Sequence, residues 1–267
     1  MRKFCLKLHR WLSIPLGVFM SILCFTGLIL LFGNEIADAF GQDSRQMPFL
    51  MALRQLHRWL FMIPENPHGG LSIGRIITAV SSMCMSIVLL TGVVIWWPKS
   101  KKMLKNRLMV STDKGFRRFV HDTHVSLGIY AFVFLFLMTI TGPVFSFSWY
   151  NQSMSKLFGL NTGNKEMMMR KGGDKQPATR EHAFDKNIIN RQMNLQPESM
   201  QGNHQMKGGS NGKKPQGVVL FKSLHLGTWA GWFSKTLYAL AALIGGFLPI
   251  SGYYMWWKKN HKKQTNA

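Results

Sequence analysis

Four apolar stretches decide what this chain can become: Leu12–Phe32, Ile76–Trp97, Val125–Trp149 and Thr236–Trp257, each 21 to 25 residues long and free of Asp, Glu, Lys, Arg and His. A helix rising about 1.5 Å per residue covers about 30 Å over such a length, the thickness of a bilayer's hydrocarbon core. A soluble core would spread its apolar positions through all 267 residues; here they are gathered into blocks, and the connections carry the charge. The mean hydropathy of +0.01 therefore averages two opposed populations. The expected fold is all-α and integral to a membrane, with four transmembrane helices.

The net charge of +22 raises the question of nucleic acid. Its distribution answers otherwise. Short basic segments sit at the N-terminus (Arg2, Lys3, Lys7, Arg10), between spans two and three (Lys99–Arg118) and after span four (Lys258, Lys259, Lys262, Lys263). With four spans all three fall on one side, as the positive-inside rule requires. In the first loop Arg45, Arg54, Arg58 and Arg75 are balanced by Glu35, Asp38, Asp43 and Glu65. Both termini are thus expected in the cytoplasm of a bacterial inner membrane, with the charge serving topology and contact with anionic lipids. No nucleic-acid module is present. Span one has the basic start of a signal peptide and an Ala37-Asp38-Ala39 resembling a cleavage site. Its apolar run is longer than a usual signal core and has a counterpart later in the chain, so it is expected to be retained.

That counterpart is an internal duplication. At a fixed offset of 115, His9 meets His124, Leu12 meets Leu127, and Thr26-Gly27 meets Thr141-Gly142. At an offset of 160, Thr91-Gly92 and Trp96-Trp97 meet Ser251-Gly252 and Trp256-Trp257, and at an offset of 168 Leu56-His57 meets Leu224-His225. The unit is His, span, loop, His, span, used twice as two parallel-repeat hairpins. Residues 1–99 form the first and 119–258 the second, joined by the basic loop 100–118 and followed by the basic tail 259–267.

The duplication supplies two histidine pairs, one at each face: His9 with His124 towards the cytoplasm, and His57 with His225 outside. Two imidazoles offered from opposite sides are the axial set of a b-type haem, so two haems are expected. No Cys-x-x-Cys-His is present for covalent attachment. Set against this, a single histidine at a helix end is ordinarily an interfacial residue. His68, His182, His204 and His261 have no repeat partner and read as solvated. His121-Asp122-x-His124 leaves open whether His121 or His124 is the ligand, the repeat favouring His124. Cys5, Cys24 and Cys84 read as small apolar fillers. Arg10 and Arg58 suit haem propionates, since guanidinium matches planar carboxylates; Arg75 and Lys235 are weaker candidates.

Leu8-His9-Arg10-Trp11-Leu12, the Thr-Gly near the end of the odd spans, Gly74-Arg75 opening span two, and Gly92-x-x-x-Trp96-Trp97-Pro98-Lys99 closing it resemble the PepSY-associated transmembrane family. The resemblance covers all four spans. It implies a diheme inner-membrane reductase carrying electrons outward to ferric siderophores in iron uptake, with axial ligands at His9, His57, His124 and His225. The donor, a quinol or a cytoplasmic reductant, and the identity of any other periplasmic acceptor are not written in the residues.

Two departures from larger relatives stand out. The first loop holds at most one small amphipathic helix around Leu50–Phe61, too little for a folded PepSY module. The second is rich in Gly, Asn, Gln and Lys over 161–217 and is expected to be disordered. It also carries Met154, Met167, Met168, Met169, Met193, Met200 and Met206, soft donors of the kind that select Cu(I). A copper or other metal-handling membrane protein is therefore one alternative, and a non-catalytic membrane partner another. The tryptophan pairs read as an interfacial belt. No nicotinamide or flavin fingerprint occurs.

Overall fold

A computed structural model describes residues 1–63, 72–160 and 216–264. They are helical throughout: α1 (Arg2–Leu31), α2 (Gly33–Ala39), α3 (Pro48–Trp59), α4 (Ile73–Trp96), α5 (Lys101–Leu108), α6 (Phe116–Thr141), a 3-10 turn (Gly142–Phe145), α7 (Ser148–Leu157), α8 (Gln216–Leu226) and α9 (Gly231–Gln264). Helices α1, α4, α6 and α9 are long and apolar enough to cross a membrane. Within hydrocarbon every backbone N–H and C=O must be paired internally, and a continuous helix does this without help from neighbours. This is a multi-pass membrane protein.

The helices start earlier than the apolar blocks do. α1 begins at Arg2 and α6 at Phe116, because Lys and Arg extend a helix into the headgroup layer while their charges reach water. The third span ends before Trp149, at Thr141 with its 3-10 extension. Pro143 explains this: its ring has no N–H to give the preceding turn and clashes with it. Trp149 lies instead on α7. The amphipathic helix expected around Leu50–Phe61 is α3, started by Pro48 and ended by Leu60 in the left-handed region at φ 49°. Of the loop 161–217, residues 161–215 lie outside the described residues, and Gln216 and Gly217 open α8.

Neighbouring spans run antiparallel in a ring, α4 beside α1, α1 beside α9, α9 beside α6, and α6 beside α4. The start of α1 and the end of α9 share what is here named the terminal end; α2, α3 and α8 lie towards the loop end. Small residues bring the helices close, as packing in lipid favours. Ser21 Oγ donates to Gly246 O at 2.9 Å, Tyr253 Oη donates to Ile14 O, and Ser82 Oγ donates to Thr139 O at 2.8 Å. A core of Met20, Cys24, Met85, Val88, Ala131, Leu135 and Ala241 fills the middle of the ring.

Side chains close both ends. The last carbonyls of α4 accept from guanidinium groups: Arg2 reaches Ile95 O at 2.8 Å, and Arg107 of α5 reaches Ile95 O and Trp96 O. Ser126 Oγ donates to Leu108 O at 2.8 Å and ties α5 to α6. At the loop end Lys235 joins Glu35 and lies 4.9 Å from the ring centres of both Phe32 and Trp232.

The α1–α9 contact yields a stability prediction. A Cβ added at Gly245 would stand 2.6 Å from Leu135 Cδ2 and 3.0 Å from Cys24 Sγ, whereas one at Gly128 would meet Leu248 at an ordinary 3.8 Å. Gly245→Val should cost about 1–3 kcal/mol through overpacking and lower the melting temperature in detergent. Gly128→Ala should stay within about 0.5 kcal/mol of the parent.

Candidate cofactor site

Four histidines, from four different helices, are held in the same way. His57 of α3 places Nδ1 2.9 Å from Thr26 Oγ1, and His225 of α8 places Nδ1 3.0 Å from Thr141 Oγ1. His9 of α1 places Nδ1 3.2 Å from Thr91 Oγ1 and 2.9 Å from Val88 O. His124 of α6 places Nδ1 2.7 Å from Ser251 Oγ. The carbonyls of Leu23, Leu248 and Met138 are further backbone partners of His57, His124 and His225, respectively.

These contacts fix the tautomer. Each hydroxyl already donates its proton to a carbonyl of its own helix: Thr26 to Ile22 O at 2.6 Å, Thr141 to Leu137 O at 2.6 Å, Thr91 to Val88 O at 2.8 Å, and Ser251 to Leu248 O at 2.7 Å. The hydroxyl oxygen is left as an acceptor, and the neighbouring carbonyl can only accept. Every Nδ1 must therefore carry the proton and donate it, which leaves the lone pair on Nε2. No Nε2 of the four makes a hydrogen bond among the described residues, and each ring retains some accessible surface. A ring clamped through Nδ1–H with Nε2 open is the usual state of a metal-ligating imidazole.

The glycine after each hydroxyl residue lies against the ring, most closely at Gly27. A Cβ at Gly27 would be 3.1 Å from His57 Cε1, and one at Gly92 would be 3.4 Å from His9 Cε1. At Gly142 and Gly252 the corresponding distances to His225 and His124 are both 3.8 Å. Each Thr/Ser-Gly pair is thus a cradle: a hydroxyl to orient the imidazole and a glycine beside its Cε1 edge, the missing side chain being needed at Gly27, where a Cβ would crowd His57. The cradles cross between helices. Thr91 on α4 receives His9 from α1, while Thr26 on α1 receives His57 from α3; the same exchange links Ser251 with His124 and Thr141 with His225.

The rings of His57 and His225 come together, their centres 6.5 Å apart and their planes at 62°. Two imidazoles bound through Nε2 to one iron, at metal–nitrogen distances of about 2 Å, put their ring centres roughly 6 Å apart. His9 and His124 lie at the terminal end within electrostatic reach of each other. Along α1, the step from His9 to Thr26 is about 25 Å of helix rise, so the pairs occupy opposite ends of the bundle with the apolar core between them. Among the described residues no three His, Cys, Asp or Glu converge on one ion. Two imidazoles per pair are fewer ligands than a bare metal ion takes from a protein.

The other candidates fall into place around these pairs. His121 is half exposed and sits 3.1 Å from Asp122 Oδ1, which with Arg118 forms a separate polar cluster; the ring in a cradle is that of His124. Arg10, next to His9, has a buried Nε without a partner among the described residues. Arg58 is exposed, lies 5.4 Å from the Trp59 ring centre and has Arg54 and Arg75 as neighbours. Desolvation, then the charges of Arg75 and Arg54, lowers its pKa. Arg75 donates to Phe145 O, and Lys235 is engaged with Glu35. Of the methionine series only Met154 is among the described residues; His68, His182 and His204 fall outside them, as does the side chain of His261.

The PepSY-associated TM region matches residues 6–48 and 40–259. The chain belongs to this family. The match takes in all four histidines and all four cradles of this PepSY-associated protein. No curated protein and no solved structure matches it. The Thr/Ser-Gly pairs were visible in the sequence as markers of the duplication. Their task of receiving the histidines was not, because each partner lies on another helix.

Burial lowers the pKa of His57 and His225 from 6.5 to about 4, with the adjacent His225 and Arg58 adding to the effect at His57. Both rings are neutral at pH 7. Their depressed folded-state values mean that the cofactor-free protein loses stability as pH falls below about 6.5 towards 4, the window in which the unfolded chain binds the extra protons. Nitrogen-15 spectra of histidine-labelled protein should show Nδ1–H rings that stay neutral at pH 5.5. Nε2–H tautomers at His57 and His225, assigned by the signals lost in His57→Ala and His225→Ala, would contradict the cradle geometry.

Proposed function

We propose that this protein is a transmembrane electron carrier holding two b-type haems, one between His9 and His124 and one between His57 and His225. It passes electrons from the cytoplasmic to the periplasmic face of a bacterial inner membrane, where ferric iron held by siderophores is the acceptor. The observation that carries the reading is the fourfold cradle: four imidazoles with Nδ1–H committed, Nε2 open, and two of the rings 6.5 Å apart.

Haem, when bound, supplies a one-electron Fe(III)/Fe(II) couple. The chain's own residues supply the rest. The histidines would hold the haems in pairs, one from each repeat, and would leave oxygen no open place on the iron. The cradles hold the rings against rotation, and donation from Nδ1–H to hydroxyl and carbonyl oxygens makes each imidazole a stronger ligand. Arg10 and Arg58 would meet the cofactor carboxylates, which the planar guanidinium suits. The apolar core between the sites keeps water out of the middle of the bundle. The orientation rests on the basic segments at Arg2–Arg10, Lys99–Arg118 and Lys258–Lys263, all at the terminal end. Electrons enter there from a quinol or a soluble reductant. The family membership supports a membrane protein of this kind, and the ferric acceptor follows from the resemblance to siderophore-iron reductases.

The test is an absorbance spectrum of detergent-purified protein, oxidised and then reduced with dithionite, with pyridine hemochromogen quantification. Wild type should carry close to two haems per chain, and His225→Ala close to one, because the variant removes one of the two rings that would hold the haem at the loop end. A haem-free wild type would defeat the reading.

A further inference from the structure

Three buried polar atoms at the terminal end of the bundle have no hydrogen-bond partner among the described residues: Arg10 Nε, Trp96 Nε1 and Thr123 Oγ1. They come from three helices, α1, α4 and α6, and each is tied by sequence to the His9–His124 pair. Arg10 follows His9, and Thr123 precedes His124. Trp96 is one helical turn beyond Gly92, on the same face of α4, and Gly92 is the glycine against the His9 ring.

None of the three is an ordinary omission. Thr26, Thr78, Thr91, Thr139 and Thr141 all spend their hydroxyl proton on a carbonyl three or four residues back in their own helix. Thr123 does not. Trp97, Trp257 and Trp256 are 68%, 50% and 42% exposed, as members of an interfacial belt should be. Trp96 is less exposed than any of them, its indole N–H is buried, and its carbonyl is pinned by Arg107. Leaving a buried donor unpaired costs about 1–3 kcal/mol, more when the group is charged. The acid nearest in sequence, Asp122, is already engaged by Arg118 and His121.

A guanidinium N–H, an indole N–H and a hydroxyl share one need, an oxygen that accepts and carries negative charge. We propose that Arg10, Trp96 and Thr123 form an anion cradle beside the His9–His124 pair, and that its ligand is the carboxylate of the cofactor held there. This rests on the haem reading above and adds to it. Arg10 supplies the charge, and Trp96 and Thr123 are positioning residues that set which way the carboxylate edge of the cofactor faces. The same donors would also suit the phosphate of an anionic lipid, and the experiment separates the two sources.

Trp96→Phe and Thr123→Val remove one N–H and one hydroxyl while keeping shape. Trp256→Phe, at the position that the duplication pairs with Trp96, serves as the control. Haem transfer to excess apomyoglobin is followed for the full-length protein in detergent, together with haem content and the phospholipid phosphate that copurifies. The double variant should release one of its two haems at least about tenfold faster than wild type, with the second unchanged and the phosphate constant. Trp256→Phe should match wild type. Wild type with two haems whose release the double variant leaves unchanged overturns the cradle and spares the haem reading. Unchanged release with lost phosphate also overturns it, and gives these donors to a lipid. Wild type without haem overturns both.

Discussion

A bilayer offers no water to a polar group, and the imidazole N–H is the group on which this architecture turns. Four histidines enter the bundle, and each brings a donor that must find an acceptor inside the protein. The solution is the same each time. A Thr or Ser hydroxyl is already bonded to its own helix and so presents only an acceptor, with a carbonyl of the same turn beside it. Satisfying Nδ1 in this way leaves the other nitrogen as the reactive one. In the proposed function, a requirement of stability in lipid and a requirement of ligation are met by one hydrogen-bond pattern.

The pattern also dictates how the helices associate. Because each cradle sits on a different helix from the histidine it receives, forming a site draws α1 to α4 and α3, and α6 to α9 and α8. The small residues along α1 and α9 then let the two halves meet closely, with Ser21, Gly246 and Tyr253 bonding across the seam. Between the two ends the core contains sulfur and hydrocarbon but no titratable charge. In the proposed function that core is what separates electron movement from water.

Much of this was legible in the residues. The four apolar blocks gave the spans, and the offsets of 115 and 168 in the duplication brought out His9 with His124 and His57 with His225 from nine histidines. The ends of the helices were less legible. Basic residues extend α1 and α6 outward past the apolar limits, and Pro143 ends the third span where hydropathy alone would have carried it to Trp149. The cradles were hidden for a different reason. Thr26-Gly27 and His57 are separated by a loop and meet only once α3 has folded back onto α1, so no local pattern announces the contact. Trp96 shows the same limit: composition places it with three other tryptophans in a belt, and only its buried indole N–H sets it apart.

The central claim is that these four imidazoles, taken in pairs, complete the coordination of two irons. Low-temperature electron paramagnetic resonance of the oxidised protein addresses it most directly, with spin quantification against total haem. Two low-spin ferric centres per chain, one of them absent in His57→Ala, is the expected result. A high-spin ferric signal in wild type, or iron unaffected by loss of His57, would show that the histidines are not the axial ligands.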